Sequence, residues 1–510
     1  MLLPMLYLVL RALDAGGELW ELLLSARTLG IIRNSLLLAL AVFGASLALA
    51  LPLAWLTVRT DLPFARFWTI ATILPLVIPS YIGAFTFLAF LGPTGTLQGW
   101  LAPFGVQRLP DFSGFFAAWL VLTLLTYPYA LLNIRGALTG MDGAMEEVSR
   151  SLGHGPLHTF FHVILPQTRP ALVAGALLVT LYTLSDFGAV SLLRFDTFTR
   201  AIYVQYQGSF DRTLAAGLAL VLVAVTLLIL LLEGRTRGRG RYYVASTAAA
   251  RPLVRHRLGR WRWPSLVFCG LISLIAIGIP VGILLHWVLR GLTLGEPLRL
   301  SWGAAGNAVY ASGLAAGIAA AASIPAAFLI VRFPGKFSVL LERIIYSGFA
   351  LPGIVMALSL VFFGARFAPA LYQTLALLVL AYVVRFLPES LGATRGSLVQ
   401  IAPAVEEAAR SLGRSPLNVI ATITLPLIRS GLFMGATLVF LTAMKELPAT
   451  LLLSPIGFET LATQVWSAAD QGFFSRAAAP SLLLVGVSAI PVALLLLQER
   501  RARPSSRAAD

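Results

Sequence analysis

Eleven largely charge-free runs, each of membrane-spanning length, occupy most of this 510-residue chain: 35–58, 67–91, 113–134, 171–192 and 213–232, then 265–289, 307–331, 344–365, 371–391, 431–453 and 478–498. Hydrocarbon offers no partner for backbone amides, so apolar runs of this length are read as helices that satisfy their own hydrogen bonds. The sequence therefore predicts an all-α polytopic membrane protein. Composition agrees, with 58% hydrophobic and only 12% charged residues, far from globular usage. Residues 1–13 are apolar but too short to span. Their later counterpart runs without charge from Ser265 to Leu289, so the start reads as the end of a first spanning helix. The single cysteine, Cys269, lies inside an apolar run and excludes a disulfide framework.

The chain is also internally repeated. Asn34, Pro52 and Arg59 recur as Asn307, Pro325 and Arg332 at an offset of 273, which later falls to 260. The first half thus carries 13 extra residues, mainly in the loop Gly92 to Gly114, against a short join near Arg366. Six spans per half place both halves in the same orientation, as parallel repeats about an axis along the membrane normal. The expected organisation is a first half over 1–232, a basic linker over 233–263, a second half over 264–499 and a basic tail over 500–510. Putting the linker, the tail and the longer polar loops on one side collects 25 Lys+Arg against 10 opposite. That side is the cytoplasm. Nine arginines between Arg235 and Arg262 then become a positive-inside segment with affinity for anionic lipid. No aromatic platform or DNA-reading motif accompanies the charge, which excludes a nucleic-acid partner.

One surface stretch occurs twice at offset 260. It reads Glu146-Glu147-Val148-Ser149, Gly153, Pro156 and Leu165-Pro166 in the first half, and Glu406-Glu407-Ala408-Ala409, Gly413, Pro416 and Leu425-Pro426 in the second. Physically, each copy is a short helix with exposed glutamates, broken at the glycine, restarted by the proline and stopped by Leu-Pro. This stretch resembles the EAA loop of permease subunits of ABC importers, and the second copy matches that pattern throughout. The first copy departs at Val148, Ser149 and Val163. The resemblance implies coupling to a dimer of separate ATPase subunits through Glu146, Glu147, Gly153, Glu406, Glu407, Ala408, Ala409 and Gly413. Glu147 and Glu407 would meet basic groups of the ATPase, and a periplasmic solute-binding protein would deliver cargo to this inner-membrane permease.

Charges inside the spans form the second candidate site, because a bare charge in hydrocarbon is costly unless it faces protein or water. Asp186 and Glu446 stand at the same offset of 260, with Lys445 beside the latter. They read as translocation-path or gate positions, or else as interfacial charges snorkelling outward with Lys445 neutralising Glu446. Arg385 and Glu389, four apart, read as an intrahelical pair. The segments Ser185-Asp186-Phe187-Gly188 and Lys445-Glu446-Leu447-Pro448, with Thr197 to Tyr203 and Gly457 to Thr463, are similar to fused two-repeat permeases of ferric-iron importers. Thiamine and aminoalkylphosphonate permeases share that architecture, and both cargoes stay open at this stage.

No catalytic residue is expected. A P-loop needs Gly-Lys-Ser/Thr, yet the two lysines, Lys336 and Lys445, precede Phe337 and Glu446. ATP and Mg therefore belong to the partner ATPase, and this chain carries no cofactor of its own. Asp186-Phe187-Gly188 lacks every companion of the kinase motif and is accidental. His154, His158 and His162 lack a completing ligand and read as a solvated helix rather than a metal site. An ion-coupled secondary transporter using Asp186 and Glu446 would explain the buried carboxylates but not the paired surface loops.

Overall fold

The computed structural model describes residues 21, 25–141, 143–208, 213–236, 256–295 and 301–502. The expected first span at 1–13, most of the basic linker and the extreme C-terminal tail lie outside these residues. Among the described residues the elements are helical, and the one β pairing is an isolated parallel bridge between Thr60 and His256.

Eight of these helices are long and apolar enough to cross a bilayer. Two further apolar stretches, read from sequence as straight spans, are instead pairs bent by 96° (Ala65–Val77 with Ser80–Phe104) and 100° (Lys336–Gly348 with Gly353–Phe367). Proline is the cause. Ile78 and Leu351, immediately before Pro79 and Pro352, sit at ψ 117° in both cases, because the proline ring disfavours the helical region for its predecessor. The apolar run at 478–498 corresponds to a shorter apolar helix over Phe474–Ile490 in its described part.

Contacts divide the chain into two compact units, one of residues 21–204 and 221–287, the other of 1–20, 205–220 and 288–510. In the first, α1 (Ala26–Arg59), α2 (Ser80–Leu91), α3 (Gly114–Thr139), the loop helix α4 (Ala144–Ser151), α5 (Leu165–Ser185) and the short α6 (Gly188–Leu192) carry the residues of interest. In the second, the corresponding elements are α7 (Trp302–Arg332), α8 (Gly353–Phe367), α9 (Leu375–Val399), α10 (Pro403–Ser411), α11 (Leu425–Met444) and α12 (Pro448–Leu453).

Each unit repeats the same packing scheme. α1 and α5 lie against α3, and α7 and α11 against α9. Close approach depends on glycine: a Cβ at Gly175 would lie 2.8 Å from Ala130 Cα, and one at Gly435 would lie 2.9 Å from Ser390 Cα. Small residues at such crossings let membrane helices pack backbone to backbone. Asn34 and Asn307 tie each unit at its other end, donating to the carbonyls of Asp196 (3.2 Å) and Glu459 (3.0 Å).

Candidate coupling loops and intramembrane charges

The glutamate loops fold as helix, turn and helix. Gly153 (φ +82°) and Gly413 (φ +85°) end α4 and α10 in the left-handed region. The Gly153 and His154 amides bond back to Arg150 O (2.9 Å) and Ser149 O (3.2 Å), and Gly413 and Arg414 repeat this to Arg410 O and Ala409 O. This is the Schellman pattern, for which glycine is the residue of least cost. Pro156 and Pro416 then open the next helix at its first turn.

Leu-Pro does not stop that helix, contrary to the sequence reading. A π turn over Phe160–Ile164, or Ile420–Thr424, widens the helix just before each Leu-Pro, and the chain continues into α5 or α11. The wider turn accommodates the missing proline N–H and its ring, so the second helix of the loop and the span form one element of 30 residues, Pro156–Ser185, in the first half.

The two adjacent glutamates face opposite ways. Glu147 and Glu407 are exposed, but Glu146 and Glu406 are each only 2% exposed. Glu406 accepts from Arg332 Nε (3.0 Å) and Nη2 (3.2 Å) and from Thr424 Oγ1 (3.0 Å). Glu146 meets Arg59 Nη2 at 3.0 Å and Arg150 Nη2 at 2.8 Å. Glu146 and Glu406 therefore latch each loop to the end of α1 or α7, and their expected place on an exposed coupling face is corrected. Ala409 is buried as well, whereas Ala408 is exposed. The outward face also carries Val148, Leu152 and Leu157 in the first loop and Leu412 and Leu417 in the second, with Leu412 84% and Leu417 80% exposed. Sequence reasoning passed over these leucines although Leu152 and Leu157 recur at the same offset of 260.

Departures of the first loop from the second are compensated in place. Ser149, where the second copy has Ala409, bonds Thr159 at 2.9 Å, and the counterpart of Thr159 is the buried Val419. Ile164 stands where Thr424 donates to Glu406, and His256 takes over, its Nε2 3.2 Å from Glu146 Oε1. His256 is fixed by backbone bonds to Arg59 O and from Asp61 N, and its ring stacks on Trp55. Burial holds the His256 imidazole below its ordinary value, with Glu146 acting in the opposite direction. The linker end thus becomes part of the first loop's support.

His154, in the turn, and His158 and His162, on the helix that follows, stack ring on ring at 4.0 and 4.1 Å and are exposed. Among the described residues, no three His, Cys, Asp or Glu side chains are placed so that they could hold a metal ion together.

Asp186 and Glu446 sit at helix breaks rather than within continuous helices. Asp186 ends α5 and accepts from the amides of Ala189 (2.9 Å) and Val190 (3.4 Å), capping α6. Glu446 lies just past α11 and accepts from Ala449 N at 3.2 Å in α12. They are 6% and 7% exposed. The partner of Glu446 is Arg385, with Nη1 to Oε1 at 2.7 Å. The intrahelical Arg385–Glu389 pairing read from sequence is thus replaced by a contact between helices. Glu389 accepts from Thr442 Oγ1 at 3.0 Å and lies in Coulombic reach of Lys445 and Arg385.

Two stretches, residues 46–235 and 313–504, match the family described as binding-protein-dependent transport system inner membrane component. The chain is 34% identical over 497 residues to the Fe(3+)-transport system permease protein FbpB 2 of Haemophilus influenzae, covering 97% of this chain and 95% of that protein. It is 27% identical over 481 residues to the ferric transport system permease protein FbpB of Actinobacillus pleuropneumoniae, covering 90% and 70%. Over 166 residues it is 31% identical to the molybdenum transport system permease protein ModB of Escherichia coli K12, covering 31% and 69%.

Proposed function

This chain belongs to the family of binding-protein-dependent transport system inner membrane components, and we propose that it is the permease of an ATP-driven importer for ferric iron. The observation that carries the coupling is the duplicated loop, which presents an exposed glutamate and exposed leucines from a helix latched by a buried ion pair to a membrane span. The cargo rests on the iron named in the two long relatives. A periplasmic binding protein brings the cargo, and a dimer of ATPase subunits holding ATP and Mg docks beneath. Closure of that dimer moves each loop, and the helix continuing from it carries the movement into the span. ATP binding thereby biases a two-state membrane element. Asp186, Lys445 and Glu446 are proposed to line or gate the path. An ion-coupled transporter has no use for two such loops.

The test is ATPase retention on the purified permease together with ATP-driven uptake in vesicles. Glu407→Lys places like charges together at a partly desolvated contact, at a cost of several kcal/mol, and Gly413→Pro prevents the turn. Reversal on a freely solvated helix costs well under about 1 kcal/mol. Both variants are expected to lose coupled uptake, with Glu147→Lys the milder lesion. Full retention and uptake in both would remove the basis of the importer reading.

A further inference from the structure

The two halves differ at their helix breaks in a coordinated way. Ser80, Leu125, Tyr129, Ser185 and Asp186 of the first half correspond to Gly353, Arg385, Glu389, Lys445 and Glu446 of the second, at offset 273 for the first pair and 260 for the others. In the first half Ser80 and Asp186 are both buried at the break. In the second the serine is replaced by glycine, and the vacated volume is occupied by a guanidinium. A Cβ built on Gly353 would collide with Arg385 Nη1 and would lie 2.8 Å from Arg385 Cζ and 2.6 Å from Glu446 Oε1.

Packing does not require this arrangement. The first half achieves the same break with Ser80 and the apolar Leu125, and buried ion pairs are often no more stable than apolar side chains of equal volume. Gly353, the first residue of α8, also loses more conformational freedom on folding than any other residue type would. The second half nevertheless keeps both. Arg385 is 18% exposed and Glu446 7%, so the pair has an accessible edge while the carboxylate is fixed from behind by the Ala449 amide. A carboxylate covered by a tethered cation can be offered to a passing cation without leaving a bare charge in hydrocarbon.

We propose that Arg385 and Gly353 are positioning residues for transport: Arg385 holds the Glu446 carboxylate at the helix break, Gly353 supplies the volume in which it does so, and separation of the pair presents the carboxylate to a cationic cargo. This rests on the reading of the chain as a cation-carrying permease.

The experiment uses the full chain with its ATPase and binding protein in proteoliposomes, reading the maximal rate of ferric uptake, the KM for loaded binding protein and the ATPase activity that the binding protein stimulates. Arg385→Leu and Gly353→Ala are expected to lower maximal uptake about tenfold or more with KM nearly unchanged. Adding Arg385→Lys, which keeps the charge and vacates volume, should relieve Gly353→Ala, whereas adding Arg385→Leu should not. The double variant Arg385→Leu with Glu446→Leu removes both charges, so it should assemble and bind ATPase yet remain about tenfold down in uptake. Normal uptake by that double variant, or by Gly353→Ala, overturns the proposal and makes the pair packing alone. Absence of ferric uptake by the unmodified complex would instead sink the cargo assignment. The stimulated ATPase activity would then carry the test, with the same order of variants expected and equal activity in all of them overturning the positioning roles.

Discussion

Arg332 holds Glu406 at two points, Nε to Oε2 at 3.0 Å and Nη2 to Oε1 at 3.2 Å, joining the last turn of α7 to the first turn of α10. Both side chains are nearly buried, with 10% and 3% exposure. Removing one member leaves the other uncompensated, at a cost of about 3–5 kcal/mol. Glu406→Ala is therefore expected to free the second loop from α7, seen as faster amide exchange across 403–419, while Glu407→Ala leaves exchange unchanged. Equal exchange in both variants would show that the latch does not hold the loop.

In the first loop the latch is expected to weaken in acid. His256 faces Glu146, Arg150 and Arg59, and burial dominates in pulling its proton affinity below the ordinary value of 6.5. A depressed folded-state value means that the unfolded segment binds the proton more tightly. Its contribution is thus present above 6.5 and is lost as pH falls through the depressed value. The amides of His256 and Asp61, which bond across this bridge, should exchange faster at pH 5.5 than at 7.5 after correction for intrinsic rates. The acid-sensitive part should vanish in His256→Gln. A pH difference that persists in that variant assigns the effect elsewhere.

Much of this was legible in the sequence because membrane spans and a duplicated surface motif leave strong, local signals. Gly153 and Gly413 turn where their spacing said they would, and Asn34 and Asn307 hold equivalent carbonyls. What escaped depended on tertiary partners or on shape. A charge-free run reads the same whether straight or bent, so the breaks before Pro79 and Pro352 passed as continuous spans. Arg385 sits four residues from Glu389, but Gly353 opens a space that draws the guanidinium to Glu446. The inward glutamates had a signal that went unused: Arg59 and Arg332 recur together with Glu146 and Glu406, as a repeated ion pair requires.

The exposed leucines of the loops should contribute most of the docking energy. Fully burying a leucine side chain is worth about 1.5–3 kcal/mol relative to leaving it exposed. Leu412→Asp and Leu417→Asp are expected to reduce ATPase retention by about tenfold or more, while the latch and the thermal stability of the permease are unchanged. Retention at the normal level in the double variant would move the contact away from these side chains.

Asp186 and Glu446 cap α6 and α12 through the amides of Ala189 and Ala449, and an amide side chain can still accept those bonds. Asp186→Asn and Glu446→Gln therefore keep the caps and remove charge, which in Glu446→Gln also leaves Arg385 without its carboxylate partner. Both should assemble with ATPase, and uptake should fall. If both transport normally, the carboxylates serve the helix breaks alone.

The loop from Gly92 to Gly114 carries most of the extra residues of the first half and lies at the opposite end of α3 from the first glutamate loop. It folds as a short helix, Thr96–Leu101, followed by a 3-10 turn over Ala102–Phe104. Gln98 donates to the carbonyls of Val106 and Gln107 and closes the loop on itself. Phe112 is 8% exposed and anchors it, whereas Trp100 and Phe104 are 58% and 82% exposed. An ordered loop that displays two large aromatic side chains is suited to an interface, where such residues carry most of the binding energy. A binding protein has no twofold symmetry to match, so an asymmetric aromatic loop can fix its orientation. Trp100→Ser with Phe104→Ser is expected to raise the concentration of binding protein needed for half-maximal uptake by about tenfold or more, without altering the maximal rate or ATPase retention. Phe112→Ser should act differently, by loosening the loop and lowering its protection from protease. Unchanged half-saturation in the aromatic double variant would place binding-protein docking on another surface.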